Sequence, residues 1–280
     1  METEMLNLVE TGKGALAGRR LLEGRTAIVT GSTSGIGLGI ATALAQSGAA
    51  VMLNGFGDPV EIEKQRAVLA DENDVDVAYD SADMSNRDAI RMMVERAAMR
   101  FGQVDIIVNN AGIQHVAPIG EFPPEKWDAI LSINLSAAFH LIQATFDGMR
   151  GRGYGRVVNI SSAHGLIASP FKAAYVAAKH GIIGLTKVVA LEGAEFGITS
   201  NAICPGYVWT PLVEKQIDGQ AKSHNIPRDA VIRDVFLKDQ PTRRFATVEE
   251  MGALTVFLCS DAAASITGTA LPVDGGWTAH

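Results

Sequence analysis

Residues 30–37 read T-G-S-T-S-G-I-G, directly after an apolar run at 25–30 and directly before a helical pattern through Ile40, Leu44 and Ala45. Strand, glycine turn and helix in that order is the context in which a chain binds a dinucleotide at a helix N-terminus. Gly31 allows the turn. Gly35 and Gly37 let the start of the helix approach a pyrophosphate, whose charge the free N–H groups and the helix dipole favour. Gly31, Thr33, Ser34, Gly35 and Ile36 are therefore candidate cofactor contacts. A glycine turn by itself says little, since tight turns use glycine anyway. Its place after the first strand favours the ligand-binding reading.

The rest of the chain keeps the alternation going. Strand-like runs at 50–54, 76–79, 104–108, 156–160, 198–203 and 270–273 are separated by helical patterns from 59, at 85–101, 124–149, 181–196 and 248–258. The run V-D-I-I-V at 104–108 is almost wholly apolar, as a parallel strand covered on both faces should be. The expectation is a single α/β Rossmann domain over 23–280, a doubly wound parallel sheet flanked by helices on both faces. Residues 1–22 are expected to be a poorly ordered extension. Residues 207–240, mixed in polarity and broken by Gly219 and Pro227, are long for a connection and read as a substrate lid.

The second strand ends in N-G-F-G-D, where an adenosine ribose is normally met. Neither Arg nor Lys stands there or at Ser34 to pair with a 2′-phosphate, and Asn54, Gly55 and Phe56 replace the usual acidic residue. NAD is expected rather than NADP, with Phe56 among its contacts. Asp83 either accepts from the adenine amino group or caps the next helix. The N-N-A-G at 109–112 lets a cofactor pass close to Asn110, Ala111 and Gly112, although Asn110 is as well suited to tying neighbouring strands. Asn134, in mid-helix between Ile133 and Leu135, needs partners if buried and none if it faces solvent.

Tyr175 and Lys179 are four apart, one above the other on a helix face. A phenol titrates near pH ~10, too high for proton exchange at neutral pH. An ammonium beside it favours the phenolate; lowering the phenol to about 7, with a bound cation helping, takes roughly 4 kcal/mol of differential stabilisation. The product is an acid/base group for an alcohol. Ser162, at the end of a strand, can set a second hydroxyl against the same substrate oxygen. The spacing alone is weak, because a surface Tyr beside a solvated Lys shares it.

Composition narrows the field. With 47% apolar and 20% charged residues among 280, a sizeable core is possible and wholesale disorder is excluded. A net charge of −7 argues against a nucleic-acid or anionic-membrane surface. No apolar run is read as reaching the ~18–20 residues of a membrane span. Cys204 and Cys259 have no metal-ligand spacing and read as buried thiols of a reducing compartment, so no metal is expected. Glu2, Glu4 and Glu10 near the start fit neither a secretory signal nor a transit peptide, and a cytoplasmic location is expected.

The ordered set T-G-S-T-S-G-I-G, N-N-A-G, Asn134, Ser162, Y-x-x-x-K and P-G resembles the short-chain dehydrogenase/reductase family, from about residue 25 to the end. The resemblance implies a catalytic set of Asn134, Ser162, Tyr175 and Lys179. Tyr175 would be the acid/base and Ser162 would orient the substrate oxygen. Lys179 would bind the nicotinamide ribose and lower the Tyr pKa, and Asn134 would help hold a water that links Lys179 to solvent. It adds Pro205, Gly206, Val208 and Thr210 to the cofactor contacts and implies a homotetramer, with the helices around Asn134 and Tyr175 at one interface.

Within the family, G-I-Q-H, S-A-H-G, S-P-F-K-A-A-Y, P-G-Y-V-x-T-P-L-V-x-x-Q-I and N-G-F-G are similar to the bacterial branch that oxidises (R)-3-hydroxybutyrate to acetoacetate. That likeness implies a small hydroxy-acid substrate whose carboxylate meets Gln114, His164, Lys172 and Gln216, with Tyr207 and Trp277 in the same pocket. Lys172 as a solvated charge and His164 as a packing residue are the plainer alternatives. Another family activity, a 3-oxoacyl-thioester reductase or a polyol dehydrogenase, is the rival reading, and a non-catalytic NAD-binding protein a more distant one.

Overall fold

The computed structural model describes residues 20–224 and 226–279. Along each central strand, alternate side chains go to opposite faces of one sheet, and both faces are covered. The strands are β1 (Thr26–Val29), β2 (Ala50–Asn54), β3 (Val77–Asp80), β4 (Ile106–Asn109), β5 (Gly155–Ile160), β6 (Ile198–Pro205) and β7 (Ala270–Val273). They lie in the order β3-β2-β1-β4-β5-β6-β7, every neighbouring pair parallel. The helices are α1 (Gly35–Gln46), α2 (Pro59–Asn73), α3 (Arg87–Phe101), α4 (Pro124–Leu131), α5 (Ala137–Arg152), α6 (Ala173–Gly193), α7 (Pro211–His224), α8 (Arg228–Val231) and α9 (Val248–Cys259).

Register decides which residues share a face. Ile28 lies opposite Met52 and Ile107, and these pack with Ile90 and Met93 of α3 and Leu141 of α5. One residue on, Val29 lies opposite Leu53 and Val108, and these pack with Ile40 and Leu44 of α1 and Leu258 of α9. The doubly wound expectation therefore holds.

Several boundaries differ from the sequence reading. β3 starts at Val77 rather than 76, and β6 runs on to Pro205. The helix expected at 124–149 is α4, a π turn over Ser132–Ser136, and α5. Tyr175 and Lys179 stand on one helix as expected, which begins at Ala173 and continues to Gly193. Packing begins before the expected boundary at 23: Leu22 is 1% exposed and its N–H donates to the Ser47 carbonyl at 2.8 Å. The remainder of the expected extension, up to residue 19, lies outside the described residues.

Two helical spans, Pro124–Arg152 and Ala173–Phe196, are long and apolar enough to cross a membrane by length and composition, which corrects the expectation that no run reaches that length. Here they link neighbouring parallel strands, and their apolar residues, among them Leu141, Met149 and Val189, pack against the sheet. Cys204 and Cys259 are buried free thiols, and burial pushes Cys259 up to about 12. The segment expected as a lid is helical, with α7, α8 and a π turn at Ile232–Phe236. It has a small core of its own in Ile217, Val231, Phe236 and Leu237, against which Tyr207 and Phe245 pack.

Candidate active site

The carboxyl ends of β1, β2, β4, β5 and β6 open on a cleft of about 740 Å³. It lies where the strand order reverses, beside β1 and β4, as ligand clefts of open α/β sheets do. A larger groove, about 1360 Å³, runs between α1 and α9 and holds neither Tyr175 nor Lys179. Gly31 has φ of +62° and turns the chain into the loop. A Cβ at Gly37 would lie 2.3 Å from the Gly31 carbonyl oxygen, so only glycine lets α1 start this close to the turn. Ser34 caps α1 in extended conformation without a side-chain bond, and the first turn carries no acidic residue. Uncapped N–H groups and no negative side chain fit a phosphate-bearing cofactor.

Gly31, Thr33, Ser34, Gly35, Ile36, Phe56, Asp83, Asn110, Ala111, Gly112, Pro205, Gly206 and Thr210 all line this cleft. Val208 departs from the expectation. Its side chain is buried in the core beside α9, and its bridge to Ala246 is made through the Tyr207 carbonyl and the Trp209 N–H. Only the backbone of Val208 is left to meet a ligand.

Asparagines hold the loop. Asn110 Nδ2 donates to the carbonyls of Thr30 and Gly31 at 2.9 and 3.0 Å, the strand-tying role of the two considered. Asn54, one of the three residues in the region where the usual acidic residue is missing, is 1% exposed and faces inward. Its Oδ1 accepts from Gly31 N–H, and its Nδ2 donates to the carbonyls of Asp80 and Ala82. The side chain next exposed at this strand end is Phe56. Asp83 does not cap α3, a role taken by Asn86; its carboxylate accepts from the N–H and hydroxyl of Ser85 and borders the cleft.

Ser162, Tyr175 and Lys179 line the same cleft. Lys179 is buried, and its ammonium donates to the Ile160 carbonyl at 2.7 Å. Burial pulls it down to about 8. The expectation that this lysine lowers the phenol meets a different balance: burial raises Tyr175 above the ordinary phenol value, and the hydrogen bond from Ser162 is what works against it. Asn134 sits in the π turn with its side chain spent on Ile113, Oδ1 accepting from the N–H at 2.8 Å and Nδ2 donating to the carbonyl at 2.9 Å. It is buried with partners and shapes the cleft wall through Ile113.

Of the expected substrate contacts, Gln114 and Gln216 line the cleft, one after β4 and one on α7. His164, Trp277 and Tyr207 form a ring cluster beside it. His164 is edge-on to Tyr175 at 6.2 Å and to Trp277 at 5.3 Å, and Trp277 stacks on Tyr207 at 5.8 Å. Both ring nitrogens of His164 face serine hydroxyls, Nε2 to Ser169 at 2.7 Å and Nδ1 to Ser162 at 3.5 Å. Burial first, and the charge of Lys172 second, push His164 down to about 4. Lys172 caps α6 and is itself lowered by burial. Two residues were not legible beforehand: Ser169, and Gln240, whose Oε1 accepts from the Tyr207 backbone N–H at 2.6 Å and holds the chain that carries that ring.

What such a cleft can do is move a proton at an alcohol or carbonyl oxygen beside a dinucleotide, the work of a nicotinamide-dependent oxidoreductase. The chain belongs to the short-chain dehydrogenase/reductase family: residues 31–278 match its family model described as Enoyl-(Acyl carrier protein) reductase. It is 55% identical to the D-beta-hydroxybutyrate dehydrogenase of Rhizobium meliloti (strain 1021) over 256 residues, 91% of this chain and 99% of that protein. It is 52% identical to the D-beta-hydroxybutyrate dehydrogenase of Cupriavidus necator over 260 residues, 93% of this chain and 100% of that one. Among solved structures it is similar to L-sorbose reductase from Gluconobacter frateurii, complexed with NADPH and L-sorbose. The TM-score is 0.88 with 31% identity, covering 92% of this chain and 98% of that chain.

Proposed function

We propose that this chain catalyses the reversible oxidation of (R)-3-hydroxybutyrate to acetoacetate with NAD, as a cytoplasmic homotetramer. The observation that carries the substrate is Lys172. It is partly buried at the start of the helix that holds Tyr175, three residues away, and has no ion-pair partner among the described residues. A desolvated, unpaired cation so near the acid/base group calls for an anionic group on the substrate. The names of the two relatives above supply the particular hydroxy acid.

In this reading Tyr175 takes the hydroxyl proton while Ser162 donates to the same oxygen, and the nicotinamide, when bound, takes the hydride from C3. The loop at Gly31–Gly37 holds the pyrophosphate, and Lys179 holds the nicotinamide ribose. Lys172 neutralises the carboxylate, with amide donors from Gln114 and Gln216, and the 207–240 segment closes over the substrate. Among the described residues no cation lines the cleft beside Phe56, which supports NAD over NADP.

The test compares the acid with its methyl ester. Lys172→Ala should lower kcat/KM for 3-hydroxybutyrate by about two orders of magnitude, as a charge-assisted bond is lost and a carboxylate is stranded. The ester, a poor substrate of the unmodified enzyme, should lose much less. An equal loss for both would show that Lys172 serves the fold, and the hydroxy-acid reading would fall.

A further inference from the structure

The chain leading into α6 holds a backbone conformation that its residue type resists. Phe171 has φ of +66° and directly precedes Lys172. Asp74 and Arg243 are the other described non-glycine residues at positive φ, and of the three only Phe171 is next in sequence to a proposed substrate contact. A bulky side chain in the left-handed region is an outlier, and such outliers persist where the surroundings enforce them. Pro170 and Phe171 form a turn. Pro suits the first central place of a tight turn, but the second, when φ is positive, normally goes to Gly or Asn. The ring does not account for the choice, since Phe171 is 55% exposed.

What the conformation achieves is a bond between two segments of the site. The Phe171 carbonyl accepts from the Ala117 N–H at 3.0 Å, joining the chain before α6 to the loop after β4. Gln114, three residues before Ala117, lines the cleft. On its other side the Lys172 carbonyl accepts from the Val176 N–H at 2.9 Å, in the first turn of α6. The peptide groups flanking the Lys172 Cα are therefore both pinned, one to the Gln114 loop and one to the helix of Tyr175. Nothing else grips this lysine: its side chain makes no cap on α6 and has no ion-pair partner among the described residues.

We propose that Phe171 is a positioning residue of the substrate-carboxylate site and acts through its main chain: its left-handed turn presents its carbonyl to Ala117, and this strap holds Lys172 and Gln114 at one separation. An ammonium on a flexible stem must otherwise be ordered at each binding event, which costs affinity. With φ at an ordinary negative value the Phe171 carbonyl would turn away from Ala117, and Lys172 would stay charged and near but no longer aimed. The inference rests on the hydroxy-acid reading of Lys172 given above.

Two substitutions separate the backbone from the ring. Phe171→Asn removes the ring and tolerates positive φ. Phe171→Pro forbids positive φ, and the N–H it deletes donates to no backbone carbonyl among the described residues. Expected for Phe171→Pro is a loss of at least about tenfold in kcat/KM for 3-hydroxybutyrate, the lower end of what a charge-assisted bond is worth, carried by KM. The methyl ester and NADH affinity should hardly change, the latter showing also that the chain is folded. Phe171→Asn should keep wild-type kinetics and melt no lower than wild type. In the Lys172→Ala background Phe171→Pro should cost almost nothing further, since the cation it misplaces is gone. Phe171→Val, a milder barrier to positive φ, should follow the proline variant in direction and carries the test if proline prevents folding. Wild-type kinetics in the proline or valine variant, a loss in Phe171→Asn as large as theirs, or an undiminished loss in the Lys172→Ala background each overturns the proposal and leaves the hydroxy-acid reading standing. Lys172→Ala striking acid and ester alike overturns that reading and this inference with it.

Discussion

The ammonium of Lys179 donates to the Ile160 carbonyl and stands 5.5 Å from the centre of the Tyr175 ring. Its charge is thus tied to the end of β5 and not to the phenol oxygen. Burial is the largest influence on Tyr175 and raises it, and Ser162 works against that.

Replacing Tyr175 with Phe should cost about 10²–10⁴-fold in turnover, the usual worth of a general acid/base. NADH binding, followed by fluorescence titration, should stay near the wild-type value, since the phenol handles a proton and does not carry the cofactor. Turnover near wild type would remove Tyr175 from the chemistry.

Asn110→Leu should strand the carbonyls of Thr30 and Gly31 that its amide now satisfies. The expected cost is about 1–3 kcal/mol of stability. Because the same bonds shape the glycine loop, the gain in melting temperature on adding NADH should shrink as well. A stability loss with full NADH affinity would show that the loop keeps its shape without this clasp.

Phe56 is 68% exposed at the cleft edge, where a ribose 2′-phosphate would need a cation. NAD should therefore be preferred over NADP in kcat/KM, and Phe56→Arg should narrow the gap by offering a bidentate partner. Equal use of both cofactors by the unmodified protein would contradict this account of the β2 end.

His164 gives the protein a defined acid sensitivity. Its ordinary value is 6.5, and the folded state holds it down to about 4. Between those values the unfolded chain binds a proton that the folded chain refuses, so stability falls as pH drops through the window, by up to about 1.4 kcal/mol per pH unit. His164→Gln should flatten the change in urea midpoint between pH 7 and pH 5 relative to wild type. An unchanged difference would mean that other groups set the acid limb.

Much of this was readable before any coordinates. β4 announced itself because a strand covered on both faces leaves an unbroken apolar run, and Ser162, Tyr175 and Lys179 were recognisable by residue type and spacing. The helix start expected at Lys172 is the N-terminus of α6, although Lys172 makes no side-chain cap and Phe171 before it is held at φ +66°. The clasps were hidden. Asn54 reaches residues 23 to 28 positions away, and Gln240 meets Tyr207 across 33, distances at which no local pattern operates. Ser169 is only five residues from His164, yet a serine in a loop carries no mark of what its hydroxyl will touch.

The π turn at Ser132–Ser136 works as a change of phase. An α-helix advances about 100° per residue, so one extra residue in a turn rotates everything before it relative to everything after. Ile130, ahead of the turn, goes to Ala174 and Ala178 on the helix of Tyr175, while Leu141 and Met149, beyond it, go to the sheet. A regular helix could not face both ways at this length. Deleting a single residue here would repair the helix as a helix and put the floor of the active site out of step with its frame.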